Sequence, residues 1–264
     1  MIGKRVLAVL HPGAMGVAVA TCLVGRGHEV GWLRTGRSEA TLRRAEQAGL
    51  TPFDDLAELL ARSDIVFSIC PPHGALEVAR ALAGFRGIVV NANAISPETS
   101  VLIGHTVTGG GARYVDGGII GPPPITAGTT RLYLAGDDGE VASLFVGSAL
   151  DAVSLTSAPP AASALKMTYA AWTKTTAALL VSIRRTAAAY GVDDDLLDEW
   201  AISQPHLAGA WLQARTQTHE KGWRWSYELA EVGRTFAAVG QPEGFGAAAS
   251  EVFAASGNED PPEG

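Results

Sequence analysis

Only two cysteines occur in the 264 residues, Cys22 and Cys70, and both sit inside apolar stretches. They read as reduced core residues of a cytoplasmic protein, with nothing to suggest a disulfide frame. Positive charge is in deficit: 20 Lys and Arg stand against 27 Asp and Glu, a net charge of −7. That balance argues against nucleic acid or an anionic membrane as a general partner. No apolar run approaches the ~20 residues of a membrane span. Signal-peptide character is missing too, since Lys4 and Arg5 are followed by only five apolar residues before His11. His206 and His219 are too far apart for a helix-borne metal pair, and no Cys/His cluster has ligand spacing, so no metal is expected. There is no internal repeat. What remains is 47% apolar and 18% charged residues, the balance of a soluble globular protein with chain enough for one large or two modest domains.

Along the first half, short apolar runs alternate with helix-like segments. Strands are expected at 5–10, 28–34, 64–70, 87–93, 113–119 and 131–136, and helices at 15–27, 54–63 and 75–84. Near-continuous apolar strands separated by helices imply a parallel sheet covered on both faces. The pattern changes at the proline pair Pro159-Pro160. Residues 161–190 lack proline and glycine and predict one helix of roughly 40 Å. Everything beyond also reads as helical, and the tail 258–264 is expected to fray. The fold class is therefore α/β: a doubly wound Rossmann domain over 1–158, then an all-α domain over 159–264 for substrate binding and dimerisation.

HPGAMG, residues 11–16, follows the first strand where a nucleotide-binding fold places its glycine loop. Such a loop needs glycine at the tight turn, at the pyrophosphate and at the helix–strand contact. Those positions here are His11, Gly13 and Gly16. The stretch His11, Pro12, Gly13, Ala14, Met15 and Gly16 would hold a pyrophosphate on backbone N–H groups at a helix N-terminus. NAD binders carry Asp or Glu at the end of the second strand; here the chain reads Arg34-Thr35-Gly36-Arg37-Ser38. Guanidinium and hydroxyl groups at Arg34, Thr35, Arg37 and Ser38 suit the extra 2′-phosphate, so NADP (NADPH) is the expected cofactor. Cys70 and Pro71, which close the third strand, are expected to join the cofactor site, as is Asn93, which could orient the nicotinamide amide or the substrate.

These motifs together resemble the β-hydroxyacid dehydrogenase superfamily, the relatives of 6-phosphogluconate dehydrogenase. Gly13-Ala14-Met15-Gly16 with Ala20 resembles its first motif, Arg34-Thr35 its NADP-selecting loop, and Pro71 its usual proline. Residues 91–99 resemble the strand-four segment beside the nicotinamide, and 114–118 the substrate loop. Residues 163–167 are similar to the start of the interdomain helix, which carries the family's catalytic lysine; Lys166 takes that place. Trp225 and Glu228 resemble a C-terminal subgroup described as 6-phosphogluconate dehydrogenase-like. The family's carboxylate-binding serine and Ser-Gly-Gly loop correspond here to Asn93 and Ile120-Gly121-Pro122, and its asparagine after the lysine to Ala170. The resemblance thus implies a retained hydride site with an altered carboxylate grip. The related imine reductases share the fold.

On the long helix, Lys166, Ala170, Thr173 and Ala177 share one face, flanked by Tyr169 and Thr176 and, on the other side, by Lys174. A buried lysine with a cationic neighbour has a lowered pKa, useful for proton transfer. Lys166 is the expected acid/base, assisted by Asn93 and Tyr169, with Tyr169 an alternative proton donor. Asp116 reads as a turn cap, and the tryptophans after residue 199 as packing residues. A second possibility is that Trp211 and Trp225, with Ile119 and Ile120, line an apolar substrate pocket. The leading expectation is an NADPH-dependent oxidoreductase acting on a small carbonyl or alcohol in the interdomain cleft, as a homodimer. The alternatives are an imine reductase and a non-catalytic NADP-binding regulator.

Overall fold

The computed structural model describes residues 5–256, without the side chains of residues 219–221, 223, 224 and 256. The tail at 258–264, and the side chains of His219 and Trp223, lie outside the described residues. The chain divides into two compact units between Lys166 and Met167.

The first unit is built on one eight-stranded sheet. In chain order the strands are β1 (Val6–Val9), β2 (Glu29–Leu33), β3 (Thr51–Phe53), β4 (Ile65–Ser68), β5 (Ile88–Asn91), β6 (Arg113–Ile120), β7 (Thr130–Gly136) and β8 (Leu150–Ser154). Their order across the sheet is β3-β2-β1-β4-β5-β6-β7-β8. Every neighbouring pair is parallel except β6–β7, which is antiparallel. The all-parallel expectation is corrected at that one step: residues 121–129 return the chain beside β6 without a crossover helix. The sheet's reversal point lies between β1 and β4, where ligands of open α/β sheets bind beyond the carboxyl ends of the strands.

Both faces of the sheet are covered, which explains the continuous apolar runs. Leu7, Val9, Ile65 and Phe67 enter one core cluster, while Ala8, Leu10, Val66 and Cys70 enter the other. The period of two along each strand sends alternate side chains into two dry layers. The helices are α1 (Ala14–Gly25), α2 (Glu39–Gln47), α3 (Leu56–Arg62), α4 (Ala75–Ala81), α5 (Pro97–Gly109) and α6 (Gly139–Ser143). Strands β3 and β8 and helices α2, α5 and α6 go beyond the sequence reading. β3 is three residues with a proline in its centre, too short for any period to show. α5 starts on a Ser96 cap with Pro97 in its first turn, but its body carries four Thr or Gly among its last six residues, a weak helical signal.

The run 161–190 is helical throughout, as α7 (Ala161–Ala170), a π turn (Ala171–Thr175) and α8 (Thr176–Tyr190). The second unit continues with α9 (Asp193–Ser203), α10 (Leu207–Ala237) and α11 (Gly244–Ser256). Leu229 and Val232 of α10 and Ala249 and Phe253 of α11 are buried and form part of its core. No helix among the described residues is long and apolar enough to cross a membrane.

Candidate functional site

The glycine loop leaves β1 and turns into α1. The Gly13 N–H donates back to the His11 carbonyl at 2.8 Å, closing a tight turn. A Cβ at Gly16 would stand 2.2 Å from the His11 carbonyl oxygen, so only glycine lets α1 start this close to the strand. Gly13 faces open space, with nothing within 4 Å of where its Cβ would be. No side chain caps α1 and no acidic residue lies in its first turn. By contrast Ser38, Asp55 and Ser96 cap α2, α3 and α5. Uncapped N–H groups behind an unobstructed glycine fit an anion, with the helix dipole adding to the attraction.

His11 puts no backbone strain on this turn. No non-glycine among the described residues has a positive φ, so the turn makes no demand that a side chain at residue 11 cannot meet. Burial, and then the nearby Arg37 charge, lower its pKa to about 4, so the imidazole is neutral at pH 7. Its buried Nδ1 has no hydrogen-bond partner.

At the end of β2, Arg34 is exposed and forks onto Asp54, with Nε–Oδ1 at 2.8 Å and Nη2–Oδ2 at 2.5 Å. Thr35 Oγ1 donates to the Asp54 carbonyl at 2.7 Å. Arg37 turns inward and spans the carbonyls of Leu33 and Leu10 at 3.3 and 3.4 Å. Ser38 is occupied as the N-cap of α2, accepting from the Thr41 N–H. Of the four residues expected at a 2′-phosphate, Arg34 and Thr35 are the exposed ones that cap no helix, and both are bonded to Asp54.

Next to the loop, Cys70 is buried, and desolvation pushes its thiol up to about 11, which makes it inert at neutral pH. The Cys70 N–H donates to Asn93 Oδ1 at 2.6 Å. Asn93 Nδ2 in turn donates to Ser68 Oγ at 3.0 Å and to Asn91 Oδ1 at 2.7 Å. Asn93 is 2% exposed, and both of its amide hydrogens are used. Its side chain ties the ends of β4 and β5 together.

The polar chain continues inward. Asn91 Nδ2 donates to Tyr114 Oη at 3.0 Å, Tyr114 and Ser100 hydroxyls lie 2.7 Å apart, and Ser100 Oγ donates to Asp116 Oδ1 at 2.7 Å. Asp116 accepts from the Ser163 N–H at 2.9 Å and from Ser163 Oγ at 2.5 Å. Burial raises the Asp116 pKa, and the Ser163 hydrogen bonds oppose the rise. Desolvation, then the Asp116 charge, hold the Tyr114 phenol above its ordinary value. Asp116 reads from sequence as a turn cap; it sits within β6, and its carboxylate caps the first turn of α7. A Cβ at Gly118 would lie 2.6 Å from the Ala162 carbonyl and 3.0 Å from Lys166 Cβ. The start of α7 therefore rests directly on β6, and that contact fixes the backbone position of Lys166, which is half-buried. Tyr169, one turn further along α7, is 46% exposed.

Lys174 is buried in the second unit, ion-paired to Glu228, with its ammonium 5.4 Å from the Trp225 ring. Trp225 packs edge-on against Phe253 at 5.2 Å, and Trp211 lies under Arg184 at 4.8 Å, itself forked to Asp193 at 2.5 and 2.6 Å. Ile119 and Ile120 are 7% and 4% exposed inside β6. These four apolar residues read as packing, the first of the two readings weighed for the tryptophans. No group of three or more His, Cys, Asp or Glu among the described residues could hold a metal.

What the sequence reading missed is Asp54 and the Asn91–Tyr114–Ser100–Asp116–Ser163 chain. The first is assembled by strand register and the second by register together with the packing of α5 and α7 on the sheet, neither of which spacing along the chain encodes.

The fold and these motif positions define a protein with the architecture of the 3-hydroxyacid dehydrogenases, and the resemblance read from the loop, the fourth strand and the lysine helix holds at that level. One solved neighbour is a conserved protein of unknown function with structural similarity to 3-hydroxyacid dehydrogenases; it is 26% identical, covers 95% of this chain and 96% of its own, and superposes with a TM-score of 0.71. A 3-hydroxyisobutyrate dehydrogenase from Salmonella typhimurium gives a TM-score of 0.74 at 16% identity, over 96% of this chain and 94% of its own. A reductive aminase from Aspergillus terreus, solved with NADPH and ethyl levulinate, gives 0.62 at 16% identity, over 98% and 95%. In sequence, residues 187–256 match a domain of unknown function, DUF1932. A curated relative, the uncharacterized 28.5 kDa protein in the 7S RNA 5′ region of Methanothermus fervidus, is 30% identical over 164 residues. That match covers 62% of this chain and 63% of the relative.

Proposed function

We propose that the chain is an NADPH-dependent oxidoreductase that transfers a hydride between nicotinamide and a small carbonyl or alcohol. The observation that carries this reading is the uncapped start of α1 behind Gly13 and Gly16, beside the exposed Arg34 and Thr35. Backbone N–H groups of α1 would hold the pyrophosphate, and Arg34 with Thr35 the 2′-phosphate. The bound nucleotide supplies or takes the hydride. Lys166 would hold or release the proton at the substrate oxygen, with Tyr169 the second candidate, and Asn93 and Asp116 would keep the strand ends and α7 in place. A C=N substrate is the second reading. It is favoured by the enclosed Asn93 amide and by the Ile120–Pro122 stretch, which offer no hydroxyl for a substrate carboxylate. We also read the chain as a homodimer, supported by large apolar side chains exposed on the second unit, among them Trp172, Ile202 and Leu212.

The test is a nicotinamide-fluorescence titration with NADPH and NADH, on the wild type and on Arg34→Ala. Tight NADPH binding that the variant weakens is the expected result; absence of binding by either nucleotide overturns the reading. Turnover on keto acids, aldehydes and cyclic imines then separates the two substrate classes. Lys166→Ala is expected to lower kcat by about 10²–10⁴ with nucleotide binding intact. A non-catalytic NADP-binding regulator would show binding and no turnover of any of them.

A further inference from the structure

The carboxylate missing from the end of β2 is delivered by the next strand. The parallel register pairs Leu33 with Phe53, and the Arg34 N–H donates to the Phe53 carbonyl at 2.8 Å, so Arg34 and Asp54 emerge side by side. The Asp54 carboxylate takes the Arg34 fork at 2.8 and 2.5 Å, and its carbonyl takes the Thr35 hydroxyl at 2.7 Å. Both side chains assigned above to the 2′-phosphate are held by this one residue.

We propose that Asp54 sets the balance between NADPH and NADH in this chain, an inference that rests on the nucleotide reading above. A 2′-phosphate needs the same guanidinium fork that the carboxylate now fills. Two anions on one guanidinium repel, so the phosphate binds against Asp54. A ribose with a free 2′-hydroxyl needs an acceptor instead, and a carboxylate at this corner of a dinucleotide fold is the group that provides one. Asp54 therefore weakens NADPH and strengthens NADH, and the preference is narrower than Arg34 alone would give. Stability does not require the pair: the two side chains are 50% and 66% exposed, and exposed ion pairs contribute little. The adjacent Asp55 has a different task, accepting the Glu58 N–H at 2.9 Å as the cap of α3.

The experiment titrates full-length wild type, Asp54→Asn and Asp55→Asn with NADPH and with NADH at one ionic strength, following nicotinamide fluorescence. In Asp54→Asn, NADPH binding is expected to tighten about tenfold and NADH binding to weaken about tenfold, one charged hydrogen bond in each direction. Asp55→Asn removes the same charge one residue away and is expected to leave the ratio of the two constants in place. The proposal is overturned if Asp54→Asn changes that ratio by less than about threefold, the scale of a bare surface charge. It is equally overturned if Asp55→Asn changes the ratio as much. Binding of either nucleotide with an unmoved ratio removes only the role of Asp54. Failure of all three proteins to bind either nucleotide removes the nucleotide reading itself, and this inference with it.

Discussion

His11 shows how one side chain can occupy a glycine position without straining the turn. The turn uses its carbonyl, which accepts the Gly13 N–H and crowds Gly16, and asks nothing of its φ. The imidazole is held neutral, and this has a consequence for acid stability. Its pKa in the folded chain is lowered from 6.5 to about 4, so between those values the unfolded chain binds a proton that the folded chain does not. Stability from this group is complete above pH 6.5 and is lost as pH falls toward 4, by up to about 3 kcal/mol. Urea unfolding of His11→Gln at pH 7 and pH 4.5 is expected to show a shallower pH dependence than the wild type. An unchanged slope would mean that the imidazole is not desolvated.

Among the elements, α7 is set by two strand residues. Asp116 caps its first turn, and Gly118 leaves room for its backbone. Gly118→Ala is expected to push the helix off β6 at a cost of about 2 kcal/mol, read as a lower urea midpoint. It should also reduce turnover, because Lys166 rides on the same turns. Gly25→Ala, where a Cβ meets nothing within 4 Å, is the control and should stay within about 0.5 kcal/mol. Much of this level was legible in the sequence. β1, β4 and β5 announced themselves because both of their faces are covered, and α1 because Gly13 and Gly16 frame its start. The lysine helix showed as a run without glycine or proline, though not its π turn, which leaves no mark on composition. Asp54 was invisible because it faces Arg34 only through the Leu33–Phe53 register, 20 residues along the chain. Asp116 could be seen as a carboxylate near a strand, but its partners Ser100 and Ser163 lie 16 and 47 residues away. Periodicity reports which positions face a core; it does not report which polar groups meet inside it.

Across the whole molecule, two units solve the same problem of buried polarity differently. The first links the buried polar groups under its strand ends in a chain of neutral amides and hydroxyls ending on one carboxylate. The second buries a charge pair, Lys174 with Glu228, beside Trp225. Removing one partner strands the other, so Lys174→Met is expected to cost about 3–5 kcal/mol, while Lys174→Met/Glu228→Leu recovers most of it. Thermal or urea melts of the two variants check this, and equal losses would show that the pair is not what holds those helices. The sheet of the first unit, finally, stops at β3, a strand of three residues with Pro52 at its centre. A margin that short, with one N–H missing, is a poor template for an incoming strand. On that side, strand addition by another chain meets a blunt edge, which favours a protein that stays in solution when crowded or partly unfolded.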